Sequence, residues 1–222
     1  MLLALDTATR HSGLALYHQA QVMAELNWLS RDAQTVELLP RVEQLLAWSN
    51  VTPADLSALA VNLGPGSFTG LRVALSLAKG MALTHNLPLL GVSGFDVTAY
   101  PHLHCAQPVA ALVTAGRGRC YLALYQPDET GDTVLGAWRG WRSTPLLLAE
   151  ADLPAALPAA AWVTGEITPP LYEALTVQGI TVALPAAAQR RAAALAELAW
   201  LRHQRGEADD LASLAPVYLQ EP

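Results

Sequence analysis

The segment from Asn62 to Arg72, Asn-Leu-Gly-Pro-Gly-Ser-Phe-Thr-Gly-Leu-Arg, constrains the fold of this chain more than any other. It follows an apolar run at 58–63 that predicts a buried strand, and it precedes a run with helical spacing. Glycine reaches positive φ angles and lets other groups approach the backbone closely, and Ser67 and Thr69 are both suited to cap a helix. The segment therefore predicts a tight strand-to-helix turn, which we call the glycine loop (residues 64–70).

Arg72 suggests a chemistry for this turn. A cation in the first helical turn opposes the helix macrodipole, where an acid is normally favoured. Glycines, unpaired N–H groups and a cation together suit an anion or a carboxylate-bearing partner. The alternative is a turn with a purely structural role. The candidate ligand-binding residues are Asp6, Gly64, Gly66, Ser67, Thr69 and Arg72.

Asp6 stands at the end of the first predicted strand, before two threonines. A carboxylate there could hold magnesium or a water molecule near phosphates, or it could accept hydrogen bonds from its own turn. With one carboxylate, the hydrogen-bonded turn is favoured.

Three common catalytic or nucleotide-binding motifs fail at named residues. The chain has no Gly-x-x-x-x-Gly-Lys P-loop. Thr69 occupies the third glycine position of a dinucleotide fingerprint, and neither Ser67 nor Ser93 lies in a Gly-x-Ser-x-Gly elbow. Nucleotide binding by these routes is not predicted.

Metal binding has little support in the histidine pattern. None of the six histidines forms His-x-x-x-His, and the compact group His102-Leu-His104-Cys105 falls in a predicted linker. We expect no functional metal site.

The sequence does not favour direct RNA binding. The run Trp138-Arg-Gly-Trp141-Arg142 alternates aromatic and cationic residues as single-stranded RNA surfaces do, but an exposed strand is the favoured interpretation. The formal net charge is −6, whereas a domain that binds nucleic acid alone usually has a positive surface. If RNA is involved, we expect this chain to reach it through a basic partner.

The low content of charged residues is compatible with a surface that another protein partly covers. The chain is 52% hydrophobic and only 14% charged, against about 25% charged in ordinary soluble domains. Either another protein covers part of the surface, or the bias toward alanine and leucine has no functional meaning. The N-terminus lacks the basic region of a signal peptide, and prolines and histidines interrupt the long uncharged stretch 97–116. We predict a cytoplasmic protein with no membrane segment.

The element pattern predicts an α/β fold in two parts. The first hundred residues read β-β-β-α-β-α-β-α, and the second half is also mixed, with a weaker pattern. The Pro-containing stretch 100–108 is the expected boundary, which divides the chain into domains at 1–104 and 105–222. Strands are predicted at 2–6, 11–18, 21–29, 58–63, 88–92, 109–114, 120–126, 138–142, 161–165 and 180–184, and the main helices at 71–85, 93–99, 170–178 and 187–205.

The predicted helix 71–85 is apolar on two faces. A helix that is apolar nearly all round is buried on both sides. Either the second domain or another chain covers it, and the small alanines favour another chain. With the preceding helical pattern, the predicted interface residues are Leu38, Val42, Leu45, Leu71, Arg72, Ala74, Leu75, Ala78, Met81 and Ala82.

Four motifs resemble those of the bacterial TsaB (YeaZ) family, within the actin-like ATPase superfamily. They are the opening Met1-Leu-Leu-Ala-Leu-Asp6-Thr-Ala-Thr9, the loop Gly64-Pro-Gly-Ser-Phe-Thr-Gly-Leu-Arg72, the turn Gly91-Val-Ser93 and the terminal Pro216-Val-Tyr218-Leu219. The resemblance implies two tandem actin-like (ribonuclease H-like) lobes, each a mixed sheet with flanking helices.

The same resemblance implies a function and partners. The chain would be a non-catalytic scaffold and activator of the paralogue TsaD, in forming N6-threonylcarbamoyladenosine beside the anticodon of tRNAs that read codons beginning with adenine. TsaE would be a further partner, the chain alone would form a homodimer, and tRNA would be met through the complex. No cofactor would be tightly bound, and ATP or ADP would bind only at the assembled complex.

Two other functions remain as alternatives. An actin-like-fold small-molecule kinase would place Asp6 near phosphates, but the second acidic phosphate motif of such enzymes is not found. A glycoprotease would need a metal or a nucleophile with a base, and neither is visible in the sequence.

Overall fold

The computed structural model describes residues 1–31 and 33–219. The chain forms two compact units, the first of residues 1–97 together with the chain from Arg191 onward, and the second of residues 98–190. The predicted division at 104/105, with everything after it in the second lobe, differs from this arrangement. The C-terminal part of the chain returns to the first unit.

The helices and strands alternate along both units. In chain order they are β1 (Leu2–Asp6), β2 (His11–His18), β3 (Gln21–Leu29), α1 (Gln34–Trp48), β4 (Ala58–Asn62), α2 (Phe68–His85), β5 (Leu89–Val92), α3 (Gly94–Ala99), β6 (Val109–Gly116), β7 (Arg119–Pro127), β8 (Thr133–Leu135), β9 (Trp138–Arg142), β10 (Leu146–Ala149), α4 (Leu153–Ala156), β11 (Trp162–Gly165), α5 (Pro169–Val177), β12 (Thr181–Val182), α6 (Pro185–Ala188) and α7 (Ala192–Gln204).

The first unit is built on a five-stranded sheet in the order β3-β2-β1-β4-β5. The first three strands form an antiparallel meander, and β4 pairs in parallel with β1 and with β5. Both β1 and β4 are buried at every position, as expected for strands in the middle of a sheet. The bounds predicted for β1, β2 and β3 are confirmed.

Helices α1 and α2 bury one face each in the core of this unit. Their buried faces pack with the apolar side chains of β1, β2 and β4. Helix α1 begins at Gln34 and continues through Pro40 to Trp48. Helix α2 begins at Phe68 rather than at the predicted Leu71, so the end of the glycine loop is already helical.

Helix α7 explains why the C-terminal part belongs to the first unit. Four of its residues are almost fully buried, namely Ala192, Leu195, Ala196 and Ala199. It packs against β1, β2, β4 and β5. The long helix predicted at 187–205 is divided into α6 and α7.

The second unit contains a seven-stranded sheet with the path β12-β11-β6-β7-β9-β8, and β10 pairs with β7. Its core gathers Leu112, Leu122, Leu153, Val163 and Leu175. The predicted strand at 138–142 is confirmed as β9.

Candidate functional site

The glycine loop joins β4 to α2 in a tight turn. Ser67 is the N-cap of α2, and its Oγ accepts a hydrogen bond from the Gly70 N–H at 3.2 Å. Thr69, the other predicted cap, lies inside the first helical turn. Gly64 has a φ of +103°, which a residue with a side chain adopts only with strain. The predicted strand-to-helix turn is therefore confirmed.

The loop lies directly on the turn between β1 and β2. The Ser67 N–H donates to the Ala8 carbonyl at 2.6 Å, and the Thr7 hydroxyl donates to the Gly70 carbonyl at 2.7 Å. A Cβ at Gly66 would overlap the Ala8 carbonyl oxygen, and one at Gly70 would overlap the Thr7 carbonyl oxygen. These two glycines allow backbone to pack against backbone.

Asp6 anchors the start of this contact. Its side chain is 3% exposed, one carboxylate oxygen accepts from the Ala8 N–H at 3.0 Å, and the other accepts from the Asn62 side-chain amide at 2.9 Å. The Asn62 side-chain oxygen in turn accepts from the Gly64 N–H at 2.8 Å. The favoured expectation of a hydrogen-bonded strand-end carboxylate is confirmed, and the network holds the ends of two parallel strands together.

Arg72 belongs to a cluster with Phe68 and Tyr218, which we call the arginine–aromatic cluster. The guanidinium carbon lies 3.8 Å from the centre of the Phe68 ring, within cation–π range. Its Nε donates to the Tyr218 hydroxyl at 3.1 Å, and the two aromatic rings are 5.2 Å apart. The Val217 N–H donates to the Leu63 carbonyl at 2.7 Å, so the C-terminal segment is fixed beside the loop.

A groove of about 420 Å³ lies between α1 and α2, and Phe68 and Arg72 of this cluster line it. Its lining residues are Thr35, Leu38, Leu39, Phe68, Thr69, Arg72, Val73, Ser76 and Leu77. Large apolar side chains are exposed on the same two helices. They are Val36 (72% exposed), Leu39 (50%), Trp48 (68%), Phe68 (40%) and Leu83 (72%). We call the groove and these residues the α1–α2 surface.

Most of the predicted interface residues do not reach this surface, although Leu38 and Arg72 line its groove. Eight of them are at most 7% exposed and pack in the core of the first unit: Leu38, Val42, Leu45, Leu71, Ala74, Leu75, Ala78 and Ala82. Met81 is partly buried, and only Arg72 is exposed. The face that we assigned to another chain is thus the face that binds the helix to its own sheet.

The outward face of α2 is the one that sequence reasoning missed. Its exposed positions include Thr69, Arg72, Ser76, Gly80 and Leu83, separated by three or four residues. This spacing was present in the sequence. The outward face was missed because it mixes polar and apolar residues, whereas the two apolar stripes of the helix are more regular.

The other predicted sites are not gathered into catalytic groups. The described residues hold no group of three or more His, Cys, Asp and Glu side chains that could bind a metal ion. His102 is buried beside Thr164 and the Ala187 carbonyl, and burial lowers its pKa. On β9, the exposed Trp141 donates its indole N–H to Asp128 at 3.1 Å. Among residues 1–31 and 33–219, no helix is long and apolar enough to cross a membrane.

Comparison with protein families gives a match to the middle part of the chain. Residues 29–137 match the family described as TsaD, tRNA N6-adenosine threonylcarbamoyltransferase.

Curated relatives share a different name. The chain is 36% identical over 151 residues to the Escherichia coli tRNA threonylcarbamoyladenosine biosynthesis protein TsaB, covering 67% of this chain and 63% of that protein. It is 34% identical over 125 residues to the Bacillus subtilis protein of the same name, covering 56% and 55%. The chain thus matches less than two thirds of the length of these relatives.

Solved structures match over nearly the whole chain. YeaZ from Pseudomonas aeruginosa superposes with a TM-score of 0.75 at 27% identity, covering 97% of this chain and 99% of that one. A second Pseudomonas aeruginosa structure, described as similar to peptidase YEAZ, gives 0.76 at 27% identity and covers 99% of both chains. The mixed α/β fold with two sheets agrees with these structures.

Proposed function

We propose that this chain, which belongs to the TsaB (YeaZ) family of the actin-like ATPase superfamily, takes part in forming N6-threonylcarbamoyladenosine in tRNA as the non-catalytic partner of TsaD. The family assignment supports the pathway, since the relatives carry it in their names. The α1–α2 surface carries the proposed role in binding.

The exposed apolar residues support a protein partner on this surface. Val36, Trp48 and Leu83 have 68–72% of their surface exposed, which is unusual for such large apolar residues. Exposed apolar side chains on helices that line a groove are typical of an interaction site. We place TsaD there in the heterodimer, and a second copy of this chain there when TsaD is absent.

The loop geometry supports a structural rather than a catalytic role for the glycines. Gly66 and Gly70 are used in close backbone packing, and the Gly64 N–H is taken by Asn62. The loop then fixes the start of α2, and with it the position of the α1–α2 surface. ATP or ADP, TsaE and tRNA would be met in the assembled complex, and the modified tRNAs would be those reading codons that begin with adenine.

Co-purification with TsaD from the same genome tests the binding role. Leu39→Asp and Leu83→Asp should abolish or strongly weaken the complex, because each places a carboxylate in an apolar contact. Val177→Asp is the matched control, since Val177 is 82% exposed on α5 of the second unit. Complex formation with both surface variants at the wild-type level would contradict the proposal.

Complementation tests the pathway role. In a bacterium depleted of its own TsaB, wild-type protein should restore the modified nucleoside, as measured by mass spectrometry of digested tRNA. Leu83→Asp should not restore it, and Val177→Asp should. An unchanged nucleoside level without any TsaB would overturn the proposal.

The alternatives give different results with the isolated chain. ATP turnover with a sugar or acid substrate would indicate a small-molecule kinase. Proteolysis that survives purification and chelators would indicate a glycoprotease.

A further inference from the structure

The C-terminal motif Pro216–Leu219 lies beside the glycine loop and contacts Arg72, which lines the α1–α2 groove. Tyr218 and Arg72 are separated by 146 positions in the sequence, yet the Tyr218 hydroxyl accepts from the Arg72 Nε at 3.1 Å. The guanidinium carbon of Arg72 lies over the Phe68 ring, 3.8 Å from its centre. The cation is therefore held by two separate parts of the chain, although it is exposed.

The guanidinium of Arg72 has two further nitrogens, Nη1 and Nη2, that can donate to another molecule. Nε donates to the Tyr218 hydroxyl, and among the described residues no hydrogen-bond acceptor is found for the two terminal Nη groups. Within residues 1–31 and 33–219, no carboxylate lies within ion-pair distance of Arg72, whereas Arg41, Arg191 and Arg202 each pair with an acid. Paired N–H groups of an arginine match the two oxygens of a carboxylate.

The groove favours a protein carboxylate over an RNA phosphate. Of the residues that line it in the described part of the chain, Arg72 alone is charged. Binding to an RNA backbone relies on several cations along one surface. A single cation in a mostly apolar groove instead complements an apolar segment that carries one acid.

We propose that Arg72, held by Phe68 and Tyr218, is the charged anchor of the α1–α2 surface and binds a carboxylate of the partner protein. This inference rests on the proposed function and specifies the chemistry of its interface. Tyr218 is a positioning residue, which gives the C-terminal motif a role in recognition.

Affinity measurements with purified TsaD across a salt series test the anchor. Arg72→Gln should weaken binding on the order of tenfold to a hundredfold, as expected when a charge-assisted hydrogen-bonded pair is lost. It should also reduce the salt dependence, since one ion pair is removed. Arg72→Lys should recover part of the affinity, because the charge remains but the planar pair of donors does not. Tyr218→Phe should give a smaller loss and keep the salt dependence of the wild type.

The variant Leu39→Asp separates the two proposals. If Leu39→Asp loses binding while Arg72→Gln keeps the affinity and the salt dependence of the wild type, the anchor is wrong and the proposed surface stands. If both variants bind as the wild type does, the surface itself is wrong. If Arg72→Gln weakens only the binding of tRNA to the assembled complex, the partner is an RNA phosphate and the inference is overturned. Thermal unfolding of each variant shows that the fold is retained.

Discussion

The Thr7 hydroxyl donates a hydrogen bond to the Gly70 carbonyl at 2.7 Å, across 63 residues of sequence. This bond joins the turn after β1 to the first turn of α2. It forms only because Gly70 has no side chain, since a Cβ there would overlap the Thr7 carbonyl oxygen. The most glycine-rich part of the chain thus serves to position a helix.

The first prediction compares two glycines of α2. Gly70→Ala should lower the free energy of unfolding by about 1–3 kcal/mol, because the new methyl group overpacks a backbone contact. Gly80→Ala should raise it by about 0.5–1 kcal/mol, because a Cβ at Gly80 meets nothing within 4 Å and alanine is the better helix former. Urea denaturation of both variants measures this. Equal effects of the two substitutions would contradict the packing role of Gly70.

The second prediction concerns which face of α2 holds the fold. Ala78 is 0% exposed, so Ala78→Glu places an unpaired charge in the core of the first unit. It should cost about 3–5 kcal/mol of stability, enough to unfold a marginal unit. Val36→Asp on α1 is the control, since Val36 is 72% exposed and its loss should change stability by about 0.5 kcal/mol or less. Circular dichroism melting curves would show the difference, and a normal melt for Ala78→Glu would mean that α2 packs otherwise.

The third prediction is a pH dependence that involves Glu25. Burial opposes ionisation of its carboxyl, but hydrogen bonds from Arg191, the Ala193 N–H and Asn27 outweigh burial and lower its pKa from the ordinary 4.5. A lowered pKa in the folded state gives stability that is present above pH 4.5 and is lost as the pH falls through the folded value.

The variant Glu25→Gln isolates this contribution. It should be less stable than the wild type by about 1 kcal/mol at pH 7, where Glu25 holds the first turn of α7 and Arg191 is half exposed. The difference should shrink as the pH is lowered below 4.5, because the wild-type carboxyl then becomes neutral too. Unfolding curves from pH 7 to pH 3 would test it, and a difference that grows in acid would show the opposite sign.

The fourth prediction concerns the two thiols. Cys120 is fully buried in the second unit, and burial raises its pKa to about 11. Cys105 is only partly buried. Because the thiolate is the reactive form, iodoacetamide at pH 8 should modify Cys105 and leave Cys120 unmodified in the folded protein. Peptide mass spectrometry would locate the label, and denatured protein, in which both thiols should react, is the control.

Local patterns were sufficient for much of the first unit. Alternating and continuous apolar runs predicted β1, β2 and β3 with their bounds, because the pairing of an antiparallel meander depends on neighbouring residues. The Ser67 cap and the turn hydrogen bond of Asp6 were also predicted, since both act over two or three residues.

The sequence alone predicted the resemblance to the TsaB family, the α/β class and the position of the glycine loop, because each motif and each element is a pattern of residues close together in the chain. The tertiary structure decided which stripe of α2 faces the sheet, because two apolar stripes compete and only the packed neighbours distinguish them. It also decided that α7 joins the first sheet and that Tyr218 holds Arg72. Contacts across more than a hundred residues leave no local periodicity, so the folded chain is needed to show them.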